Sequence, residues 1–392
     1  MPAPGLHPPE RAAHVFPLVA DWVFRAPMAQ LLAAFGERLP GPGLAGRDGA
    51  GSLPDLRRLG EELPHWLGPV ATGEATGVNG LSGDRIDVLR RTLAIEGMAS
   101  GHFNFRTQDG EEYRERSQLR PADFTPKFRD RVLELTDQLG LVTPRPPRFG
   151  RYDKTLVLGG GYLFPLLRAR YAAQIRAAGT DLGDLSFLGS PRFLIKKPPE
   201  RPFAEEYAPG AADEVDLMAG AARAEFGLRP ASEVFLCGCS SAEAQCPHWA
   251  CRHAEQAKDT PPAFTHERRV DLMDGTGRVV AMLLSASTGR PPHRPNTADT
   301  FALWARCADP QPGQRVLAVT SQVFVPFQTF EGLRCLYLRH GVDLDVVGHS
   351  ADWGYPPLTA EYLLQETLSA ARSARRLLVD AAGILMGAQS AA

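Results

Sequence analysis

Lysine is scarce in this sequence. Of 43 basic residues only Lys127, Lys154, Lys196, Lys197 and Lys258 are lysines, and with 38 glycines and 34 prolines the arginine excess reads as the coding bias of a GC-rich genome. Arginine abundance is thus weak ground for inferring phosphate or nucleic-acid binding. Net charge is nearly absent too: the formal charge of -2 gives no global attraction to nucleic acid or to a membrane surface, so a polyanion would have to be held by a local patch. Long apolar runs are missing. None approaches the roughly 18 residues of a membrane helix, and the apolar patch from Val15 to Val23 is broken by Asp21. The opening Met1 to Glu10 carries four prolines and no cationic start, so no export signal of the usual kind is expected. A cytoplasmic protein with no membrane partner is expected. There, the six cysteines read as thiols or metal ligands before disulfides. Neither a Gly-x-Ser-x-Gly elbow nor a His-Glu-x-x-His pair occurs, which removes the hydrolase and zinc-protease classes those motifs mark.

What is present is an α/β pattern behind a helical start. Residues 1–145 place candidate helices at Met28 to Arg38, Leu53 to Leu67, Asp84 to Ala94 and Lys127 to Leu139 between Pro- and Gly-rich stretches. Ile86, Leu89 and Leu93, and again Val132, Leu135 and Leu139, recur at helical spacing, so each helix should lay one face on a core. His65, His102 and the run Arg114 to Arg116 read as surface or capping residues. Pro144, Pro146 and Pro147 read as a linker. From residue 150 to 392 strands and helices alternate: strands at Thr155 to Leu158, Leu185 to Leu188, Arg315 to Thr320 and Val342 to Val347, and a hairpin or strand pair at Val270 to Met273 and Val279 to Leu284. Helices are expected at Leu166 to Ala178, Asp213 to Phe226, Thr297 to Ala308, Gln328 to His340 and Leu358 to Leu385. This spacing predicts right-handed crossovers and a mainly parallel sheet flanked by helices, with a C-terminal helix packed on it. Ligands in such sheets bind beyond the carboxyl ends of the strands. That rule gathers Gly159 to Gly161, Gly189 to Arg192, Ser285 to Ser287 and Thr320 to Gln322 onto one rim.

Lys154-Thr-Leu-Val-Leu-Gly-Gly-Gly161 is the most telling stretch. A buried strand runs into Gly159, Gly160 and Gly161, which lets backbone N–H groups approach an anion at the next helix. The run lacks the further glycines of a dinucleotide fold and the Gly-Lys-Ser/Thr of a phosphate loop. Arg168, on the following helix, is a phosphate candidate. Arg192, with Lys196 and Lys197, could collect phosphates or form a solvated loop. In Arg294-Pro-Asn-Thr-Ala-Asp-Thr300, Asn296 and Thr297 could bind an anion beside Arg294, though helix capping alone explains these residue types. Glu214 and Asp299 are the acid/base candidates. His349, Asp352 and Trp353 could line a pocket mouth or form a polar loop.

The order Leu-Gly-Gly-Gly with following arginines, Asp213-Glu214-x-x-x-Met218, Arg294-Pro-Asn-Thr-Ala-Asp-Thr300 and Val-Leu-Ala-Val-Thr-Ser321 resembles the SanA/ElyC/YdcF-type family over about residues 151 to 350. The resemblance implies a Rossmann-like sheet. It matches Glu214 to a helix glutamate, Asn296 and Thr297 to an Asn-Thr element facing the glycine loop, Asp299 to a second glutamate, Arg168 to a phosphate-side arginine, and Thr320 and Ser321 to a Thr-Ser after a strand. Where that family continues with Tyr-His and an arginine, this chain has Gln322-Val-Phe-Val-Pro-Phe327. The base and the phosphate-binding arginine expected there are missing.

The densest local cluster is Cys237-Gly-Cys239-x6-Cys246-Pro-His248-Trp-Ala-Cys251-Arg-His253, within an insertion spanning 237–266. Cys237, Cys239, Cys246 and Cys251, with His248 and His253 as alternates, could hold a structural zinc. The spacing is not a standard one, and a redox pair or plain thiols fit as well. The expected function is a cytoplasmic hydrolase or transferase acting on a phosphorylated or nucleotide-like small molecule. The alternatives are a non-catalytic nucleotide- or S-adenosylmethionine-binding module and, less favoured, an RNA-linked enzyme.

Overall fold

The computed structural model describes residues 6–38, 64, 66–67, 81–106, 119, 121–191, 194, 201–238, 266–287 and 295–390. In chain order the helices are α1 (Pro8–Val23), α2 (Ala26–Ala33), α3 (Gly83–His102), α4 (Pro126–Gln138), α5 (Phe164–Ala177), α6 (Arg201–Tyr207), α7 (Glu214–Phe226), α8 (Thr297–Ala308), α9 (Val325–Gly332) and α10 (Ala360–Ser390). The strands are β1 (Lys154–Leu158), β2 (Asp184–Gly189), β3 (Arg229–Phe235), β4 (Arg268–Met273), β5 (Val279–Ser285), β6 (Arg315–Ser321) and β7 (Asp343–His349). The chain divides into two compact units. One comprises Met1–Thr143, Val323–Gly341 and Pro356–Ala392, the other Pro144–Gln322 and Val342–Tyr355. The first division falls at the proline linker read from the sequence.

The first unit is helical. Its long helix α10 packs against α1, α3, α4 and α9, so the C-terminal helix expected on the sheet belongs with the N-terminal helices instead. An amphipathic stripe says that a helix has a partner and not which one. Charged residues explain the pairing better. Glu96 on α3, fully buried, accepts from Arg375 Nε of α10 at 2.9 Å. Glu361 of α10 takes both terminal nitrogens of Arg129 on α4 at 2.9 Å. Glu331 of α9 receives Arg334 at 2.7 Å and Ser373 Oγ at 2.8 Å; although burial opposes ionisation, these partners and Arg376 hold its carboxyl below the usual range. Buried carboxylates are tolerated only with such partners, and forked guanidinium groups supply them. The candidate helix from Leu53 to Leu67 lies almost wholly outside the described residues.

The second unit holds one seven-stranded sheet of order β3-β4-β5-β2-β1-β6-β7. The fold class is α/β. Strands β5, β2, β1, β6 and β7 run parallel to one another, and β3 and β4 add an antiparallel edge. β1 and β6 read as apolar runs because both faces are covered: Leu156, Val157, Leu317 and Val319 are all fully buried. β4 and β5 form the expected hairpin, turning at Asp274, whose Oδ1 accepts from Thr276 N at 2.9 Å. β3 was not foreseen. It is an edge strand with mostly exposed side chains, and Pro230 stands where the register shifts, so it lacks the apolar signal of its neighbours. Helices α5 and α7 pack on one another and on the sheet. Asp213 starts α7 by accepting from Asp216 N at 2.9 Å, and Gly227, at φ 69°, ends it in the left-handed region.

Candidate functional site

The sheet reverses its winding beside β1. The chain leaves β1 through α5 to β2 on one side and returns with β6 on the other, which is the arrangement that opens a crevice at strand carboxyl ends. The five parallel strands end there with Gly159, Ser190, Ser285, Thr320, Ser321 and His349. Because β4 runs antiparallel to β5 and pairs Arg268 with Ser285, the end of β3 and the start of β4 lie on the same rim. The insertion after Cys237 therefore leaves from the rim that carries the glycine loop.

The glycine triplet is required for space, unevenly. A Cβ on Gly159 would stand 2.2 Å from Glu214 Oε1 and 2.5 Å from the Leu188 carbonyl. One on Gly160 would meet Phe164 Cβ at 2.9 Å, and one on Gly161 would meet nothing within 4 Å. The left-handed residue of the loop is Tyr162, at φ 33°. Its carbonyl accepts from Tyr207 Oη. The anion that approaches Gly159 here is the protein's own carboxylate: Glu214, buried at the start of α7, also accepts from Ser190 Oγ at 2.6 Å.

Arg168 is buried, and its donors go to protein oxygens. Nη1 donates to the carbonyls of Leu158, at 3.1 Å, and Gly159, and Nε donates to Ser321 Oγ at 3.3 Å. In a trans peptide C=O and N–H point in opposite directions. Arg168 thereby turns the N–H groups of Gly159 and Gly160 away from itself. It orients the glycine loop and ties it to β6.

An aromatic wall stands beside this cluster. Phe164 and Tyr355 rings lie 4.7 Å apart, Arg168 lies 4.7 Å over Phe164, and Trp353 stacks on His349 at 5.2 Å and 14°. Tyr207 is raised above the ordinary phenol range by burial, with Glu214 and Tyr355 adding to it. His349 Nδ1 lies 3.0 Å from the Ser350 carbonyl oxygen. Burial pushes its pKa down to about 4, opposed by that hydrogen bond and assisted by the Arg168 charge. Three rim atoms, Ser285 Oγ, Thr320 Oγ1 and His349 Nε2, are buried without a hydrogen-bond partner among the described residues.

A pH effect follows from His349. An unfolded chain protonates its imidazole near 6.5, while the folded protein waits until about 4. The stability involved is present above pH 6.5 and lost as pH falls towards 4, roughly 3 kcal/mol at most. His349→Asn should lack that loss, so urea midpoints of variant and wild type at pH 7 and pH 4.5 should converge or cross on acidification.

Of the residues expected in the site, Gly159, Gly160, Arg168, Ser321 and Glu214 come together. Gly161 adjoins them in open space, and Thr320 precedes Ser321, the last residue of β6. Asn296 and Asp299 instead hold each other in a capping box: Asn296 Oδ1 accepts from Ala298 N at 2.8 Å and Asp299 Oδ2 from Asn296 N at 2.9 Å. Thr297 is the first residue of α8. Arg192, Arg294, Lys196 and Lys197 lie outside the described residues, as do Cys239, Cys246, His248, Cys251 and His253. Cys237 Sγ lies 3.3 Å from Nδ1 of His266, a histidine the cysteine spacing did not single out. Among the described residues no three His, Cys, Asp or Glu side chains form a metal-holding group. Ser190 and His349 are the partners sequence reasoning undervalued. Each is one polar residue after an apolar strand, and only register shows what it faces.

Uncharacterized proteins Rv3785 and MT3893 of Mycobacterium tuberculosis and Mb3814 of Mycobacterium bovis are each 34% identical to this chain over 262 residues, covering 65% of it and 68% of each relative. The chain belongs to their family. No model of a known protein family matches it, and no solved structure matches it. The family members so related are themselves uncharacterized and carry no activity across. No helix among the described residues is long and apolar enough to cross a membrane.

Proposed function

We propose that the strand-end rim binds a small phosphorylated or nucleotide-like molecule and that the protein is a cytoplasmic enzyme that hydrolyses it or transfers a group from it. The observation that carries this reading is the set of buried polar atoms without partners among the described residues at the ends of three parallel strands, Ser285, Thr320 and His349, beside a buried Glu214. Protein interiors rarely leave such atoms unmatched, and a bound molecule, ion or ordered water is what satisfies them. Support also comes from the glycine loop, whose N–H groups Arg168 orients, and from the aromatic wall of Trp353 and Tyr355, which suits a planar base. In this reading Glu214, relayed through Ser190, moves the proton. The resemblance to SanA/ElyC/YdcF-type proteins belongs to the same proposal. So does a structural metal such as zinc at the base of the insertion, where Cys237 and His266 would be two ligands; elemental analysis of fresh wild-type and Cys237→Ser protein tests it, and equal metal content in both would remove it.

One observation favours a non-catalytic nucleotide- or S-adenosylmethionine-binding module. Arg168 donates to protein oxygens and Asp299 caps a helix, so two expected reactive groups are engaged structurally. Calorimetry with inorganic phosphate, ADP and S-adenosylmethionine, followed by product analysis, separates the readings. For the enzyme, Glu214→Gln retains binding and lowers turnover about 10²- to 10⁴-fold. Binding without product in the wild type selects the module, and absence of binding by all three compounds overturns both.

A further inference from the structure

We infer that Nε2 of His349 is a fixed hydrogen-bond acceptor for the ligand of this rim, so that the ligand carries a donor, a hydroxyl or an exocyclic amine, about two strand spacings from its phosphate. The inference deepens the reading above and rests on it for the phosphate alone. A carbonyl oxygen can only accept. The 3.0 Å contact from Nδ1 to the Ser350 carbonyl therefore places the ring proton on Nδ1 and leaves a lone pair on Nε2. That atom is buried with no partner among the described residues, and His349 as a whole is 1% exposed.

The surroundings keep it an acceptor. Arg168 on α5 sets a positive charge nearby. From its own element, Asp352 is exposed and accepts from Ser350 Oγ at 2.8 Å. Trp353 covers the imidazole face and is itself met edge-on by Tyr171 of α5 at 5.9 Å. A ligand donor must come in the plane of the imidazole, and the Ser350-to-Gly354 turn must shift to admit it. A neutral acceptor has nothing to offer the unprotonated oxygens of an ionised phosphomonoester. It selects the other end of the molecule. Ser321 and His349 are register partners on β6 and β7, and β1 pairs with the other edge of β6. The glycine loop and His349 are thus two strands apart, about 10 Å, a span that a ribose phosphate or a nucleotide bridges.

Full-length protein labelled with ¹⁵N in histidine tests this. The free protein should show a proton on Nδ1 and none on Nε2 of His349. Addition of ribose 5-phosphate, which offers hydroxyls only, or of AMP, which adds an amine, should shift Nε2, and the more effective probe names the donor. His349→Asn keeps a donor towards Ser350 and removes the acceptor. It should weaken the effective probe about tenfold. A proton on Nε2 in the free protein overturns the inference, as does a silent Nε2 with all probes, including occupancy by an ordered water that no probe displaces. If phosphate fails to bind while AMP or ribose 5-phosphate shifts Nε2, the acceptor stands and the phosphate reading falls.

Discussion

Arg375→Ala should lower the stability of the helical unit by about 3–5 kcal/mol, the usual cost of stranding one member of a buried ion pair. Glu96 is fully buried and Arg375 is 2% exposed, and the pair is held at 2.9 Å through Nε, with Nη2 at 3.5 Å from the second oxygen. Removing the guanidinium leaves a carboxylate in an apolar interface, and Arg372 Nε, 3.9 Å away, is too distant to replace it fully. The double variant Glu96→Leu/Arg375→Met should recover most of the loss, because it removes both charges and keeps volume. Urea titration of the far-ultraviolet helix signal provides the measurement. A double variant as unstable as the single one would mean that packing around Arg375, and not the stranded charge, sets the cost.

Gly159→Ala should be the most damaging alanine in the glycine loop. The new methyl group would press against the Leu188 carbonyl at 2.5 Å and against Glu214 at 2.2 Å. Leu188 sits in β2 between β1 and β5, so its backbone cannot retreat without opening the ladder. A cost of about 1–3 kcal/mol or somewhat more is expected, together with loss of the Glu214 position and, under the proposed function, of phosphate binding. Gly161→Ala meets open space and should stay within about 0.5 kcal/mol. Matched thermal melts and phosphate titrations of the two variants check the contrast; equal behaviour would mean that the loop does not close on Glu214.

Much of the sheet was legible because parallel strands are covered on both faces and read as unbroken apolar runs, as Thr155 to Leu158 and Arg315 to Thr320 do. β3 was not, since its residues face solvent and only pairing with β4 makes it a strand. The rule on strand ends gathered the glycine loop with Ser190, Thr320 and Ser321, while Glu214 entered through the family resemblance and its residue type, and Asn296 and Asp299 carry residue types that capping and ligand binding share. His349 was hidden for a different reason. Its proposed role depends on which nitrogen bears the proton, and that is set by the Ser350 carbonyl one residue away.

The division of the chain bears on how it is made. It passes between the two units at 143/144, 322/323, 341/342 and 355/356, so neither unit is a continuous segment of its own. On the ribosome, α1 and α3 emerge long before α10, the helix that covers them, and β6 waits for β7 until after α9 has left. The second unit is complete only when Tyr355 has appeared, and the first only with the residues after it. Contacts this remote in sequence slow folding and leave apolar faces waiting during synthesis. Limited truncation from the C-terminal side should therefore fail as a route to a smaller working protein, and a nascent chain halted near residue 320 should be a substrate for chaperones.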